Sequence, residues 1–284
     1  MMVQRLGISI ASPLLRHCWL ATWLLFLVGT ACSSGQTPGI PTIFSEQVQD
    51  KFELYIDLPK DYTRDQSYSV VYYMDANLKM GQELRRQIKL AKNQSNLSQV
   101  IFVGIGHIGN YRKLRRRDFI PPKMEAGEWV ESTDPDFGHG DAFYRFLTEE
   151  LMPKIDNEYA TNGRNSFIGH SFSGLFAFYC LLQPKLIFTN HIALSPSLWV
   201  NYHNFFEVEK AFSKIDKERN TYLYHACGSG EWANKVRSSS RDMRQVLEER
   251  DYTGLQYKYV EHPGKGHNGV VAVALDQVLK NTDF

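Results

Sequence analysis

A serine with the surroundings of a catalytic nucleophile lies in the middle of the chain, in the sequence GHSFSG at residues 169–174. A short apolar run precedes it, and a second apolar run with the spacing of a helix follows it. This pattern is typical of a nucleophile elbow, a strand-to-helix turn that holds the serine in a strained and exposed position. The usual pattern is G-x-S-x-G, and here Ser173 replaces the last glycine. Ser171 is therefore a candidate nucleophile, provided that the chain also supplies a base, an acid and an oxyanion hole.

Two further residues could complete the chemistry of Ser171. His267 lies in the glycine-rich sequence PGKGHNG after the last predicted strand, where an imidazole could reach a serine hydroxyl as the base. His262 is the alternative base, but it continues a strand and precedes a proline, which favours a structural role. Glu231 follows the preceding strand, and its carboxylate could orient the imidazole of His267. The order Ser171, Glu231, His267 is the triad order of α/β-hydrolases.

An oxyanion hole needs two backbone N–H donors beside the nucleophile. One should be the N–H of Phe172, directly after the serine. The second should come from the turn after the strand predicted at residues 68–74, where we expect Asn77 to donate. The same turn is compatible with an ordinary helix N-cap, and both roles could coexist because the donor belongs to the main chain.

From residue 42 onward, strand-like and helix-like segments alternate. Strands are predicted at residues 48–58, 68–74, 99–105, 190–194, 221–226 and 255–260, besides the strand that enters the elbow. Helices are predicted at residues 78–92, 141–159, 205–215, 233–251 and 268–280, besides the helix that leaves the elbow. Pro153 should kink or split the helix at residues 141–159. This alternation predicts an α/β fold with a mostly parallel central sheet and helices on both faces, which is compatible with the α/β-hydrolase fold that the resemblance described below implies. Such sheets bind ligands at the carboxyl ends of their strands, where the three candidate residues fall.

A long polar stretch at residues 107–140 follows a strand end and should overhang the site with little secondary structure of its own. Within its basic cluster, Arg115 and Arg116 are candidates for binding an acidic or catecholate-like acyl group. A solvated loop with one arginine paired to Asp118 would explain the cluster equally well. Trp199 and Trp232 follow strands and could line the substrate pocket, although core packing is an equal alternative for Trp199.

The N-terminal residues 1–31 have the features of a lipoprotein-type signal peptide. Basic residues precede an apolar run at residues 19–28 that is too short to span a membrane comfortably. Small residues directly before Cys32 resemble a bacterial lipobox, which would place a lipid anchor on Cys32; a plain secretory signal is the alternative. Residues 32–41 would be a tether and residues 42–284 the α/β-hydrolase domain. Ser34 favours an outer-membrane lipoprotein facing the periplasm, and otherwise we expect a soluble periplasmic or secreted protein.

The composition excludes several other classes of protein. The net charge of the 284 residues is +1, which gives no reason to expect a nucleic-acid partner. No Cys/His spacing typical of zinc is present, and we expect neither a metal nor another cofactor. Cys180 and Cys227 could pair in an oxidising compartment, but buried free thiols are the expectation.

Several segments together resemble the esterase D-like (putative esterase) family of α/β-hydrolases, and most closely its siderophore (enterobactin-type) esterase branch. They are YYMD at 72–75, FVGIG at 102–106, RRRDFIP at 115–121, GHSFSGL at 169–175, LSPSLW at 194–199, GSGE at 228–231 and PGKGH at 263–267. The resemblance implies a serine carboxylesterase that hydrolyses a small-molecule or glycan-linked ester through an acyl-enzyme. It also implies the triad of Ser171, Glu231 and His267.

Two other functions remain compatible with the sequence. The same triad could transfer the acyl group to an alcohol instead of to water. A non-catalytic outer-membrane lipoprotein that binds a siderophore or a glycan would account for the irregular elbow at Ser173.

Overall fold

An eight-stranded sheet forms the centre of the computed structural model, which describes residues 39–91, 97–125, 128–130 and 132–284. The strands are β1 Thr42–Ser45, β2 Asp50–Asp57, β3 Tyr68–Met74, β4 Val100–His107, β5 Lys123–Glu125, β6 Glu128–Val130, β7 Thr161–His170, β8 Asn190–Leu194, β9 Glu218–Gly228 and β10 Thr253–His262. The sheet has the order β1-β2-β4-β3-β7-β8-β9-β10, while β5 and β6 form a separate antiparallel hairpin. Strands β1 and β2 are antiparallel to their neighbours, and the others run parallel. The predicted mostly parallel sheet is therefore confirmed.

Helices cover both faces of this sheet. They are α1 Lys79–Ala91, α2 Tyr111–Phe119, α3 Gly140–Arg145, α4 Met152–Glu158, α5 Phe172–Leu181, α6 Val200–Phe212, α7 Val236–Arg250 and α8 Gly269–Asn281. Leu84 of α1 and Leu275 of α8 belong to the apolar core on one face, and Phe176 of α5 and Met243 of α7 belong to the core on the other. Strands β3 and β4 are buried along their whole length because both of their faces are covered, which explains their continuous apolar sequences.

The prediction of little secondary structure at residues 107–140 was wrong, because the segment contains helix α2 and the β5-β6 hairpin. The helix begins after Asn110, whose side chain accepts the N–H of Lys113. Its inner face is held by a buried pair, in which Nε2 of His107 lies 2.8 Å from Oδ2 of Asp118. Arg117 also pairs with Asp118, at 2.6 Å, so the arginine–aspartate pairing considered from the sequence is present.

The helix predicted at residues 141–159 is present but divided. A π-helical segment at Phe146–Leu151 separates α3 from α4. Pro153 lies in the first turn of α4, where the missing N–H of proline disturbs helix hydrogen bonding least.

The predicted signal peptide and Cys32 lie outside the described residues. No helix in the described ranges is long and apolar enough to cross a membrane. Those ranges also contain no group of three or more side chains that could hold a metal ion. Cys180 and Cys227 are buried free thiols, as expected.

Candidate active site

Ser171 lies on a sharp turn between strand β7 and helix α5. Its φ is +65°, a left-handed conformation that strains a residue other than glycine. The strand and the helix approach so closely that a Cβ on Gly169 would lie 2.0 Å from the carbonyl oxygen of Ser173. The Ser171 hydroxyl lies 3.2 Å from the hydroxyl of Ser197. This backbone geometry is that of a nucleophile elbow.

Ser173, which replaces the usual elbow glycine, is fully buried. Its Oγ accepts the N–H of His170 at 2.9 Å and lies 3.0 Å from Oδ2 of Asp75. Asp75 is held in turn by Arg115, whose guanidinium also donates to the carbonyl oxygen of His170 at 3.1 Å. The serine therefore ties the elbow to the turn after β3.

His267 and Glu231 lie next to each other in the loops that follow strands β10 and β9. Nδ1 of His267 is 2.7 Å from Oε2 of Glu231. The other carboxylate oxygen accepts the hydroxyl of Ser195 at 2.6 Å and the N–H of Gly228 at 2.7 Å. Burial raises the pKa of Glu231, but the hydrogen bonds from these three residues outweigh burial, and the pKa lies below its ordinary value. An ionised carboxylate is therefore held against the imidazole.

The imidazole of His267 also contacts two other rings. The ring of Trp232 stacks on it with centroids 5.6 Å apart and an interplanar angle of 26°. The ring of His170 lies 4.6 Å away between centroids. Because Trp232 is 59% exposed, much of its indole surface beside the imidazole is open to a ligand.

A cavity of about 780 Å³ opens at the carboxyl ends of the parallel strands. Its lining contains Ser171 and His267 together with Asp75, Leu78, Lys79, Met80, Glu83, Tyr111, Arg112, Arg115, His170, Trp232, Asn268, Val271 and Ala272. This volume is in the range of sites that bind small molecules. The candidate nucleophile and the candidate base therefore face the same small-molecule cavity.

The basic residues around the cavity have different environments. Lys79 and Arg112 line it, and neither has an ion-pair partner among the described carboxylates. Arg115 also lines the cavity, but its guanidinium is bound to Asp75 at 2.7 and 3.0 Å. Arg116 stacks on an aromatic ring and is absent from the described lining. The cations of the described lining that have no ion-pair partner are thus Lys79, which the sequence did not single out, and Arg112, which belongs to the predicted basic cluster and contacts only the neighbouring Tyr111.

Three other predicted residues are outside the described lining of the cavity. The ring of Trp199 contacts Nζ of Lys235 at 4.7 Å. The side chain of Asn77 donates to the carbonyl oxygen of His107 at 2.8 Å. Phe172 is the first residue of α5, where backbone N–H groups have no partner within the helix. The oxyanion roles of the Phe172 and Asn77 main chain stay predictions.

Sequence reasoning missed Ser195, Ser197 and Asp75. Ser195 and Asp75 directly follow strands β8 and β3, and Ser197 lies three residues after β8, so the position after a strand end was the available signal. The contact of Ser195 with Glu231 joins two different strand ends, 36 positions apart in sequence, so the local sequence around either residue does not mark it.

Comparisons with known proteins show the family of the chain. The model of the family described as Putative esterase matches residues 45–272. The ferri-bacillibactin esterase BesA of Bacillus subtilis strain 168 is 28% identical over 247 residues, which cover 81% of this chain and 83% of BesA.

Solved structures have the same fold. The BES protein from Bacillus cereus superposes with a TM-score of 0.71 at 24% identity, covering 85% of this chain and 94% of that one. The siderophore hydrolase EstB from Aspergillus nidulans also gives a TM-score of 0.71, at 19% identity and with 84% and 93% coverage. The predicted α/β-hydrolase fold is confirmed. The chain belongs to the Putative esterase family and is a hydrolase that acts on ester bonds.

Proposed function

We propose that the protein is a serine carboxylesterase that works through a covalent acyl-enzyme, with Ser171 as nucleophile, His267 as base and Glu231 as acid. The observation that carries the proposal is the 2.7 Å contact between Nδ1 of His267 and Oε2 of Glu231. His267 and the elbow serine, Ser171, line the same cavity. When Nδ1–H donates to the carboxylate, Nε2 of the neutral imidazole is left as the proton acceptor. Membership of an esterase family supports the same reaction.

In the first half of the proposed reaction, Ser171 attacks the ester carbonyl while His267 takes its hydroxyl proton. The bond to the alcohol breaks as His267 returns this proton to the leaving oxygen, and the acyl group stays on Ser171. Water then attacks the acyl carbonyl with the same proton transfers, which releases the acid and restores the serine. Glu231 stabilises the imidazolium in both halves. The N–H of Phe172 and the turn at Asn77 are the candidate donors for the oxyanion.

In the resting structure the Ser171 hydroxyl contacts Ser197 at 3.2 Å, and the described hydrogen bonds include none between Ser171 and His267. Ser171 must turn toward Nε2 of His267 when an ester enters the cavity. Such catalytic hydrogen bonds often form only with substrate bound.

The cavity favours an ester that carries acidic groups. Lys79 and Arg112 place two positive charges on its wall, and the exposed face of Trp232 offers a stacking surface beside His267. The relative BesA is a ferri-bacillibactin esterase, and we propose a siderophore-type ester as the substrate of this chain.

A fluorophosphonate probe tests the proposed nucleophile. The wild type should be labelled and Ser171→Ala should not. Ser197→Ala is the matched control, since it removes the neighbouring hydroxyl without removing the nucleophile, and it should still be labelled. Labelling of Ser171→Ala at the wild-type rate would refute the assignment.

A substrate panel tests the ester class. Short p-nitrophenyl esters, feruloyl and acetyl sugars and tri-lactone siderophores should be compared by kcat/KM, and we expect the siderophores to rank first. Adding an alcohol acceptor and analysing the products distinguishes hydrolysis from acyl transfer.

We also propose export and a lipid anchor at Cys32, which only the N-terminal sequence supports. Incorporation of labelled fatty acid into the full chain, lost in Cys32→Ser, is the expected result. Labelling that persists in Cys32→Ser would contradict the anchor.

A further inference from the structure

His170, the variable residue of the elbow pattern, is bonded to the loop that carries His267. Its Nε2 lies 2.9 Å from the main-chain carbonyl oxygen of His267. A carbonyl oxygen only accepts hydrogen bonds, so the His170 ring must carry its proton on Nε2. The residue next to the nucleophile therefore reaches across the site to the backbone of the base.

The environment of His170 keeps its ring neutral and fixed. Burial lowers the pKa of His170 to about 3, and the neighbouring charge of His267 lowers it as well. The main chain of His170 is held too, since its N–H donates to Ser173 and its carbonyl oxygen accepts from Arg115. A rigid, neutral donor thus points from the elbow toward the loop.

The loop that receives this bond has other ties as far as Gly266, whose carbonyl oxygen accepts the N–H groups of Gly269 and Val270. The described bonds to the main chain of His267, by contrast, comprise the one from His170 alone. Residues 263–266 are exposed, and Gly264 has a φ of +67°, which glycine adopts without strain. The N–H of Gly264 donates to Ser229, and the carbonyl oxygen of Lys265 accepts from Gly230. Downstream of these contacts, the carbonyl oxygen of His267 is held by His170 while its side chain is held by Glu231.

We propose that His170 is a positioning residue that fixes the main chain of His267 and so places its imidazole over Ser171. This inference rests on the proposed function, in which His267 is the base. A shift of about 1 Å in a catalytic group costs up to about 100-fold in rate, so the loss of one anchor on a glycine-rich loop is expected to be visible in kcat.

Three variants test the role of the donor. In His170→Gln, the amide nitrogen takes about the position of Nε2 and can still donate to the carbonyl. In His170→Asn, the amide ends about where Nδ1 lies and falls short, and His170→Phe keeps a ring without a donor. We expect kcat on a small p-nitrophenyl ester to stay within about threefold of wild type for His170→Gln. For the other two variants we expect a decrease of about 10- to 100-fold, with KM within about threefold.

The proposal would be overturned if kcat were the same in all three variants as in the wild type. It would also be overturned if kcat fell as much in His170→Gln as in His170→Asn and His170→Phe. Thermal unfolding of each variant reports whether it folds. Independently of any variant, ¹⁵N NMR of the wild-type imidazoles at pH 7 should find His170 neutral with its proton on Nε2, and a proton on Nδ1 would exclude the bond to His267. If instead Ser171→Ala or His267→Ala retained full activity, the proposed function itself would fail, which is a different result.

Discussion

Replacing Ser173 by glycine would restore the usual elbow pattern, yet we expect the variant to be less stable. The Ser173 hydroxyl accepts the buried N–H of His170 at 2.9 Å and lies 3.0 Å from the carboxylate of Asp75. A hydrogen bond to a charged group contributes about 1.5–3 kcal/mol, and a buried donor left unpaired costs about 1–3 kcal/mol. Ser173→Ala should therefore lower the free energy of unfolding by about 3 kcal/mol. Ser173→Gly should lose about 1 kcal/mol more, because glycine is the more flexible residue in the first turn of α5.

Urea unfolding followed by circular dichroism measures this change. In a domain of this size, 3 kcal/mol corresponds to a decrease in Tm of about 6–12 °C. Ser238→Ala is the control, because the hydroxyl of Ser238 has one described hydrogen bond, a local and exposed one to the carbonyl oxygen of Lys235 at 3.2 Å. This variant should stay within about 0.5 kcal/mol of wild type. If Ser173→Gly unfolds at the wild-type urea concentration or above it, the hydroxyl does not anchor the elbow.

Three further predictions concern the acid, the cavity charges and the buried histidines. Glu231→Gln should lower kcat on a p-nitrophenyl ester by about 10²- to 10⁴-fold, because an amide cannot stabilise the imidazolium as a carboxylate does; an unchanged kcat would contradict the role. Lys79→Glu and Arg112→Glu should each raise KM for an anionic ester about tenfold at low salt and change KM for a neutral ester less than twofold. Equal effects on both esters would exclude charge recognition. Burial lowers the pKa of His191 to about 4 and of His225 to about 3. Because an unfolded histidine titrates near 6.5, the unfolded chain binds more protons below that pH, and the free energy of unfolding should fall by about 2 kcal/mol per histidine at pH 5. Urea midpoints at pH 7 and pH 5 measure this decrease, and it should be smaller in His225→Phe. If the decrease between pH 7 and pH 5 were the same in His225→Phe as in the wild type, His225 would not be one of its sources.

The parts of the site that follow a strand end could be predicted from the sequence. Ser171, Glu231 and His267 each follow a strand-like run and a glycine, and parallel strands bring such positions to one edge of the sheet. Strand β3 has the predicted bounds of Tyr68–Met74, because a strand covered on both faces has a largely apolar sequence, which is bounded here by Ser67 and Asp75.

The parts that depend on distant polar contacts could not be predicted. Helix α2 has few apolar residues, and the buried pair of His107 and Asp118 that holds it joins the helix to a strand. The sequence made Arg115 a candidate for binding substrate. Its partner in the structure is Asp75, which lies 40 positions earlier in the chain and could not be recognised from the local sequence. The local sequence shows the charge of such a side chain but does not show which residue it pairs with.

Helix α2 carries exposed residues at the cavity and residues that are tied to the rest of the fold, and this has a consequence for changing the substrate range of the enzyme. Its first turn carries Tyr111 and Arg112, which are exposed and face the cavity. Further along, it carries Arg115 and Asp118, which are tied to the elbow turn and to β4. Libraries restricted to positions 111 and 112 should therefore alter which esters are accepted at little cost in folding. Randomising positions 115 or 118 would instead yield mostly unfolded or inactive clones. Directed evolution on this helix should therefore vary positions 111 and 112 and keep Arg115 and Asp118.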